Sequence, residues 1–255
     1  MFVAARRPLS TVDVVVPCYN YGHYLTTCVR SVLSQQGVEV RLLIIDDCSS
    51  DGTAEIGRQL AAADHRVEFR RHETNRGHIA TYNEGLIGWS TGKYVVLLSA
   101  DDLLAPGALS RAANIMDTDS SIGLVYGPAP YFEKETELPR ITAACEWRYT
   151  RWPGAEWLER RCRHGNNVIS SPEVVVRGTV QRDLGGYRPE LPHAGDLEMW
   201  LRIAGVSNIA YVRRIPQAFY RVHAASMLRT KYRSTLADLQ QRKAAFDSFF
   251  HSQRT

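Results

Sequence analysis

The 255-residue sequence lacks any run of about 18 consecutive apolar residues, and this absence predicts no transmembrane helix. Its first ten residues include two arginines but no apolar core after them, so we do not expect a secretory signal. Cysteine is sparse. The five cysteines are scattered and form no Cys-x-x-Cys pair, which is typical of reduced thiols rather than of a disulfide framework. We therefore expect a cytoplasmic protein, and peripheral contact with the inner face of a membrane stays open.

Acidic residues are scarce in the last part of the chain. From Trp200 onward there are ten Lys and Arg but only two Asp, whereas residues 1–199 hold 21 basic and 25 acidic residues. A basic surface of this kind could face nucleic acid, an anionic membrane or a phosphorylated substrate. A solvated basic helix explains the same charges without a ligand, and we predict no nucleic-acid partner.

Short apolar runs alternate with segments of helical spacing in the first part of the chain. The runs at 12–16, 40–45, 67–71 and 94–98 predict strands, and the segments 24–36, 51–63 and 77–90 predict helices. Strands that alternate with helices imply right-handed βαβ units and a mostly parallel sheet. An apolar content of 44% is sufficient for a folded core of this kind. We therefore predict an α/β fold.

The pattern becomes less regular after Asp102. We predict helices over 105–117, 152–164, 197–204 and 234–250, and short strands over 123–126, 174–176, 209–212 and 219–222. Residues 133–145 have no clear period and predict a loop. In the last helix, Leu236, Leu239 and Phe246 are the expected apolar contacts, a set too small to decide for or against a homodimer.

Two adjacent carboxylates, Asp101 and Asp102, follow the apolar run that begins at Tyr94. In α/β sheets, ligands bind at the carboxyl ends of the strands, and a buried strand does not normally end in two like charges. Carboxylate oxygens suit Mg²⁺ or Mn²⁺, often together with substrate phosphates. The pair therefore predicts a metal site; the alternative is a solvated helix cap before Pro106.

Three further acidic residues belong to the same prediction. Asp46 and Asp47 follow the second predicted strand, so they can share a sheet edge with Asp101 and Asp102, and Asp196 comes later in the chain. Acidic groups gathered at one edge suit a metal-bound nucleoside diphosphate and a general base.

In order along the chain, these motifs resemble those of family-two inverting glycosyltransferases with the GT-A fold. The resemblance covers roughly residues 10–230. It rests on the segments Val14–Asn20, Ser31–Gln35, Ile44–Thr53, Asn75–Gly77, Asn83–Gly85, Leu97–Asp102, Gly185–Tyr187, Gly195–Arg202 and Tyr220–Ser226. It implies a Rossmann-like, mostly parallel central sheet flanked by helices.

The resemblance also implies how the chain is divided. Residues 1–230 would form the glycosyltransferase domain, with a nucleotide-binding half at 10–102 and a variable acceptor and catalytic half at 103–230. Residues 231–255 would be a helical extension. The acceptor would be held by residues 126–195, a region rich in arginine and aromatic side chains. A saccharide, a lipid-linked saccharide or a small molecule would each fit as the acceptor.

The implied nucleotide site lies in the first half. Tyr19 would stack on the base, and Asp47 would accept a hydrogen bond from a base ring N–H, which fits the uracil or thymine of a UDP- or dTDP-sugar. Pro17 and Asn20, in the same segment as Tyr19, would also belong to the nucleotide site. The resemblance also places two further residues, Arg76 and Asp101, with the nucleotide.

The implied metal site centres on Asp102, with Mn²⁺ or Mg²⁺ as the cofactor. The family's Asp-x-Asp pattern appears here as Ala100-Asp101-Asp102, so the first position of that pattern supplies no ligand. His223 would complete the metal site or touch the diphosphate; a loop histidine without a ligand is the alternative.

Asp196 corresponds to the family's catalytic base, although Gly195 stands where the family commonly has Glu. Asp196 would take the proton from an acceptor hydroxyl as that oxygen attacks the anomeric carbon, and the sugar would be transferred with inversion.

Three alternatives fit the sequence less well. A sugar nucleotidyltransferase would usually carry a basic, glycine-rich loop after the first strand, and residues 17–22 contain no basic residue. A non-catalytic nucleotide-sugar-binding protein would not need Asp102 and Asp196. A processive synthase would carry a Gln-x-x-Arg-Trp motif and membrane helices, and the sequence has neither.

Overall fold

The structure, a computed structural model, describes residues 8–141, 146–224 and 235–252. Its first half alternates strands and helices as the sequence predicts. The elements are β1 Thr11–Cys18, α1 Gly22–Leu33, β2 Glu39–Asp46, α2 Thr53–Ala63, β3 Val67–Arg71, α3 His78–Asn83 and β4 Tyr94–Leu97. A π-helical segment, Glu84–Trp89, continues α3.

The second half supplies shorter strands and the remaining helices. They are β5 Leu103–Leu104, α4 Ala108–Thr118, β6 Ile122–Tyr126, β7 Tyr131–Phe132, β8 Arg148–Trp152, α5 Gly154–His164, β9 Val175–Arg177, α6 Gly178–Leu184, α7 Gly195–Val206, β10 Asn208–Arg213, β11 Ala218–Arg221 and α8 Thr235–Ser252. A 3₁₀ turn, Glu135–Glu137, lies between β7 and β8.

One sheet of eight strands runs in the order β3-β2-β1-β4-β9-β6-β10-β8, and a small sheet has the order β5-β11-β7. Strand β1 pairs in parallel with both β2 and β4, and β3 pairs in parallel with β2. The carboxyl ends of these four strands therefore meet at one edge. Strand β9 runs antiparallel between β4 and β6 and joins the two halves of the sheet.

Strand β1 is buried on both faces because its apolar side chains contact two different core clusters. Val14 and Val16 belong to the cluster that includes α1 and α4 residues. Val15 belongs to the cluster on the other face, with residues of α7. The continuous valine run is the pattern expected for a strand between two helical layers.

Several segments differ from the prediction. Strands β5 and β7 and helix α6 lie where the sequence predicts no such element. Residues 148–152 form edge strand β8 against β10, which the sequence does not predict, and α5 begins after Pro153 rather than at Trp152. The helix predicted over 77–90 becomes π-helical at Glu84. Gly85 lies so close to β1 that an added Cβ would come within 2.3 Å of Val15 Cγ1.

Helix α8 packs on α7, but two of its predicted apolar contacts are wrong. Leu236 and Leu239 are exposed, whereas Ala245 and Phe249 are buried in the core cluster that includes α7. Phe246 packs partly buried against the same cluster, as predicted. Ser234, the first residue of the predicted helix, lies outside the described residues. In the part of the chain that the structure describes, no helix combines the length and apolarity needed to span a membrane.

Candidate active site

A cleft of about 1380 Å³ opens at the carboxyl edge of the parallel strands. The loops after β1, β2 and β4 line one part of it, and the loops before β9 and α7 line another. Several of the predicted site residues line it: Pro17, Tyr19, Asn20, Asp47, Asp101, Asp102 and Asp196. The structure therefore brings together carboxylates that are far apart in the sequence.

The loop after β1 is tied to the loop after β2. Asn20, in a left-handed conformation with φ of 59°, accepts a hydrogen bond from the Ser50 N–H at 2.8 Å, and its own N–H donates to Ser49 Oγ. This fixes the neighbouring Tyr19, whose side chain is 51% exposed at the cleft. An exposed ring on a braced loop can stack on a planar base.

Asp47 is almost fully buried and organises the loop after β3. Its Oδ1 accepts the backbone N–H of Arg76 at 2.8 Å, and its Oδ2 accepts that of Gly77 at 2.9 Å. A carboxylate oxygen can accept more than one hydrogen bond, so these contacts leave acceptor capacity on Oδ2.

His72 connects Asp47 to Glu84. Its ring nitrogens lie 2.7 Å from Asp47 Oδ1 and 2.9 Å from Glu84 Oε2. The Arg76 guanidinium pairs with the same Glu84 oxygen at 3.3 Å and is half exposed, so its side chain lies beside this network rather than along the cleft. The predicted contact between Arg76 and the nucleotide stays a prediction.

The turn after β4 places Asp101 and Asp102 next to each other at low exposure. Burial, and secondarily the charge of Asp101, raise the pKa of Asp102 well above its usual range. Arg221 braces this turn. Its backbone N–H donates to Asp102 Oδ1 at 2.8 Å, and its Nε donates to the Asp101 carbonyl at 2.8 Å.

The Arg221 guanidinium is buried between two aromatic rings, 4.5 Å from the centre of Tyr24 and 4.4 Å from that of Phe132. It also pairs with Glu135 at 3.0 Å. These contacts assign Arg221 to holding the carboxylate turn, a role that the spacing of the motif does not reveal.

His223 follows β11 and lies beside this turn, with Nε2 at 3.0 Å from Asp101 Oδ2. The rings of Tyr21 and Tyr24 flank its imidazole at 5.3 Å. Asp101, Asp102 and His223 thus offer oxygen and nitrogen donors of the kind that bind Mg²⁺ or Mn²⁺. No group of three or more such side chains is already arranged around a common point among residues 8–141, 146–224 and 235–252.

Asp196 is the second residue of α7 and faces the cleft. Its Oδ1 accepts the Leu197 N–H at 2.7 Å. Its Oδ2 accepts the Asn167 amide at 3.0 Å and the Ser171 hydroxyl at 3.1 Å. Burial raises the pKa of Asp196, while these three donors and nearby His193 lower it and partly offset the effect of burial.

The rest of the motif around Asp196 is structural. Glu198, fully buried, accepts a hydrogen bond from Arg202 Nε at 2.9 Å, and Arg202 donates to the carbonyls of Leu184 and Gly186. Nearby, Asn83 exchanges two hydrogen bonds with the Tyr187 backbone, at 2.7 and 2.8 Å. These contacts fix the start of α7 against α3 and α6.

Helix α8 forms a further wall of the cleft, where Thr235, Asp238 and Arg242 line it. Asp238 forms an ion pair with Arg242 and lies 3.2 Å from His193 Nε2. The arginine and aromatic residues of 140–163 do not line this cleft in the described part of the chain. Trp157 is buried in the core, and Arg160 and Arg163 pair with glutamates of their own helix.

Comparison with known proteins identifies the family of this chain. A sequence model described as glycosyl transferase family 2 matches residues 13–176. The putative teichuronic acid biosynthesis glycosyltransferase TuaG of Bacillus subtilis is 34% identical over 232 residues, which cover 89% of this chain and 84% of TuaG. Other relatives are much longer, and the chain spans 22% and 20% of two of them.

Two solved structures share the fold. TarS 1-349 of S. aureus in complex with UDP-GlcNAc gives a TM-score of 0.70 at 19% identity, covering 87% of this chain and 61% of the TarS chain. The mannosyltransferase PcManGT of Pyrobaculum calidifontis, in complex with GDP-Man and Mn²⁺, gives 0.66 at 18% identity, covering 96% and 69%. The expected mostly parallel GT-A sheet is confirmed, and the family match with the identity to TuaG shows that the chain belongs to glycosyl transferase family 2, a family of glycosyltransferase enzymes.

Proposed function

We propose that this glycosyltransferase moves a sugar from a UDP- or dTDP-sugar to an acceptor hydroxyl by single displacement with inversion. The observation that carries the proposal is that Asp196, with three hydrogen-bond donors on its carboxylate, lines the same cleft as Asp102 and Tyr19. A base, a carboxylate turn and an exposed stacking ring are the parts that such a transfer needs.

In this mechanism Asp196 accepts the proton of the acceptor hydroxyl while that oxygen forms a bond to the anomeric carbon. The bond from the anomeric carbon to the diphosphate oxygen breaks with its electron pair, and the nucleoside diphosphate leaves. The base must be ionised to act, and the α7 N-terminus and the three donors stabilise the ionised form.

Tyr19 and Asp47 would bind the nucleobase of the donor. The remaining acceptor capacity of Asp47 Oδ2 suits a ring N–H donor, which uracil and thymine carry. Pro17 and Asn20 would shape the loop that presents Tyr19, and the Asp101 side chain would face the ribose or phosphates.

Asp102 would hold a divalent cation, with His223 as a further ligand. Burial and, secondarily, repulsion from Asp101 raise the pKa of Asp102, and a bound cation would offset both effects, which supports the fit of this donor set. When bound, Mn²⁺ or Mg²⁺ would neutralise charge on the diphosphate leaving group. Arg221 would keep the carboxylate turn in place through its backbone and side-chain hydrogen bonds.

A thermal-shift screen of nucleoside diphosphates, with and without Mn²⁺, tests the donor class. We expect UDP or dTDP to raise the melting temperature, because the nucleobase would bind beside Tyr19 and Asp47. The shift should be larger with Mn²⁺, because the cation would hold the diphosphate in a separate part of the cleft. Stabilisation by GDP alone would contradict the pyrimidine assignment. Stabilisation by nucleoside triphosphates alone would favour a nucleotidyltransferase.

A further inference from the structure

The loop that precedes β9 reaches Asp196 from outside its own helix. Asn167 and Ser171 both donate to Asp196 Oδ2, from positions 29 and 25 residues away in the sequence. The Leu197 N–H holds the other oxygen. The two loop donors occupy both lone pairs of Oδ2, and the Leu197 N–H occupies one lone pair of Oδ1. Donors on both oxygens fix the plane of the carboxylate, and one lone pair of Oδ1 is left for a reacting proton.

This loop is itself braced. Asn167 Oδ1 accepts the Ile169 N–H at 3.1 Å, so the amide orientation that donates to Asp196 is set by a second contact. The buried Glu173 accepts the Ser170 N–H at 2.7 Å, and the Val174 N–H donates to the Ser171 carbonyl. Two donors on a fixed loop can orient a base more narrowly than donors of its own helix alone.

Ser171 adopts a φ of 91°, a conformation that residues other than glycine rarely take. Strain of this kind persists where surrounding contacts over-determine the backbone, and it often occurs at functional sites. Here the strained residue places its hydroxyl within 3.1 Å of Asp196 Oδ2.

From these contacts we propose that Asn167 and Ser171 are positioning residues that hold Asp196 ionised and aligned for proton transfer. The proposal rests on the proposed role of Asp196 as the base. In this proposal the loop at 167–171 orients the carboxylate of the general base. The sequence motif around Asp196 does not include these loop residues.

The charged and titratable groups that face Asp196 come from several elements. His193 precedes α7, Glu173 follows the loop, and Tyr82 and Tyr187 lie toward α3 and α6. Of these, His193 favours the ionised carboxylate, as the two loop donors do. A substitution of Asn167 or Ser171 therefore leaves the effect of His193 on the Asp196 carboxylate in place.

The first test replaces Ser171. Ser171→Gly keeps the positive φ without strain but removes the hydroxyl, whereas Ser171→Ala removes the hydroxyl and keeps a Cβ. We expect both to lower kcat for UDP release from UDP-sugars about tenfold, with KM changed by less than about twofold, because the hydroxyl acts on the base. Wild-type kcat in Ser171→Gly would overturn the proposal.

The second test uses Asn167→Asp, which retains an acceptor for the Ile169 N–H but places a carboxylate against Asp196. We expect the acid limb of the pH–rate profile to move up by about one unit, since the base must lose its proton to act. The control Ser34→Ala removes a hydroxyl just after α1 that, within the described residues, donates to the Ser31 carbonyl alone, and it should leave kcat and the profile unchanged.

A titration by carbon NMR with labelled aspartate gives a readout without turnover. The Asp196 carboxyl resonance is assigned by its loss in Asp196→Asn. Asn167→Asp and Ser171→Gly should both raise the pKa of Asp196, and an unchanged pKa would overturn the proposal. The two hypotheses can fail separately. UDP release at the wild-type rate in Asp196→Asn would refute the assignment of Asp196 as the general base. The titration could still show that Asn167 and Ser171 lower the pKa of Asp196.

Discussion

Glu173 shows how much a single buried carboxyl group can matter next to the base. It is 3% exposed, and its Oε2 has no hydrogen-bond partner within the described part of the chain. Burial raises its pKa from 4.5 to about 7, and the charge of Asp196 adds to this effect. No sequence pattern predicts this state, because it depends on the depth of the residue in the fold.

Glu173→Gln should change how stability depends on pH. Because the folded-state pKa of Glu173 is raised, its contribution is fully present below about pH 4.5 and is lost as the pH rises through about 7. Glutamine cannot ionise but still accepts the Ser170 N–H. We expect the variant to gain about 3 kcal/mol in unfolding free energy relative to wild type between about pH 4 and pH 8.

Urea unfolding of both proteins at a series of pH values measures this difference. Asp102 and Asp196 interact with the charge of Glu173, so the difference reports the loss of that charge together with its effect on these two carboxylates. A difference in unfolding free energy that does not vary with pH would show that Glu173 is not protonated in the folded chain.

At the scale of elements, the sequence predicts most reliably those strands that are buried on both faces. The valine and leucine runs of β1, β2 and β4 are buried on both faces, so their pattern alone identifies them. Edge strand β8, with three of its five residues exposed, has no such pattern, so the sequence does not predict it. The cleft follows the same division. Asp47, Asp101 and Asp102 follow predicted strands. Asn167 and Ser171 lie on a loop and Arg221 ends β11, and only the fold brings these three residues to Asp196 and to the Asp101–Asp102 turn.

The π-helical segment after α3 packs closely on β1. Gly85→Ala should destabilise the protein, since a methyl group there would overlap Val15 on β1. Overpacking of this kind costs roughly 1–3 kcal/mol. Gly88→Ala is a matched control in the same segment, because no described atom lies within 4 Å of its added Cβ. Thermal unfolding of the two variants compares them directly. Equal melting temperatures would contradict the close packing of this segment on β1.

At the scale of the whole molecule, the extension at 231–255 is more than an appendage in its described part. Residues 235–252 pack on α7 and bring Asp238 and Arg242 to the cleft, beside His193. The periodicity of this segment predicts a helix, but not which face is buried, because its charged and apolar residues are mixed around the helix. The acceptor is therefore expected to meet α7, α8 and the 167–172 loop rather than the basic surface of α5.

Arg242→Ala should test this arrangement of the acceptor side. Loss of the guanidinium removes the ion pair with Asp238 and changes the wall of the cleft near His193. The loops proposed to bind the nucleotide follow β1, β2 and β4 and are not altered by this substitution. We expect the KM for an acceptor to rise and the UDP-induced thermal shift to remain. An unchanged KM for the acceptor, or a loss of the UDP-induced thermal shift, would contradict the assignment of α8 to the acceptor side of the cleft.

The central claim is that Asp196 is the base of an inverting transfer. UDP release from a panel of UDP-sugars with Mn²⁺, with water or an added saccharide as the acceptor, measures it most directly. In Asp196→Asn we expect turnover to fall by on the order of 10²–10⁴, the usual contribution of a positioned base, while UDP still raises the melting temperature as in wild type. UDP release at the wild-type rate in this variant would contradict the assignment of Asp196 as the base.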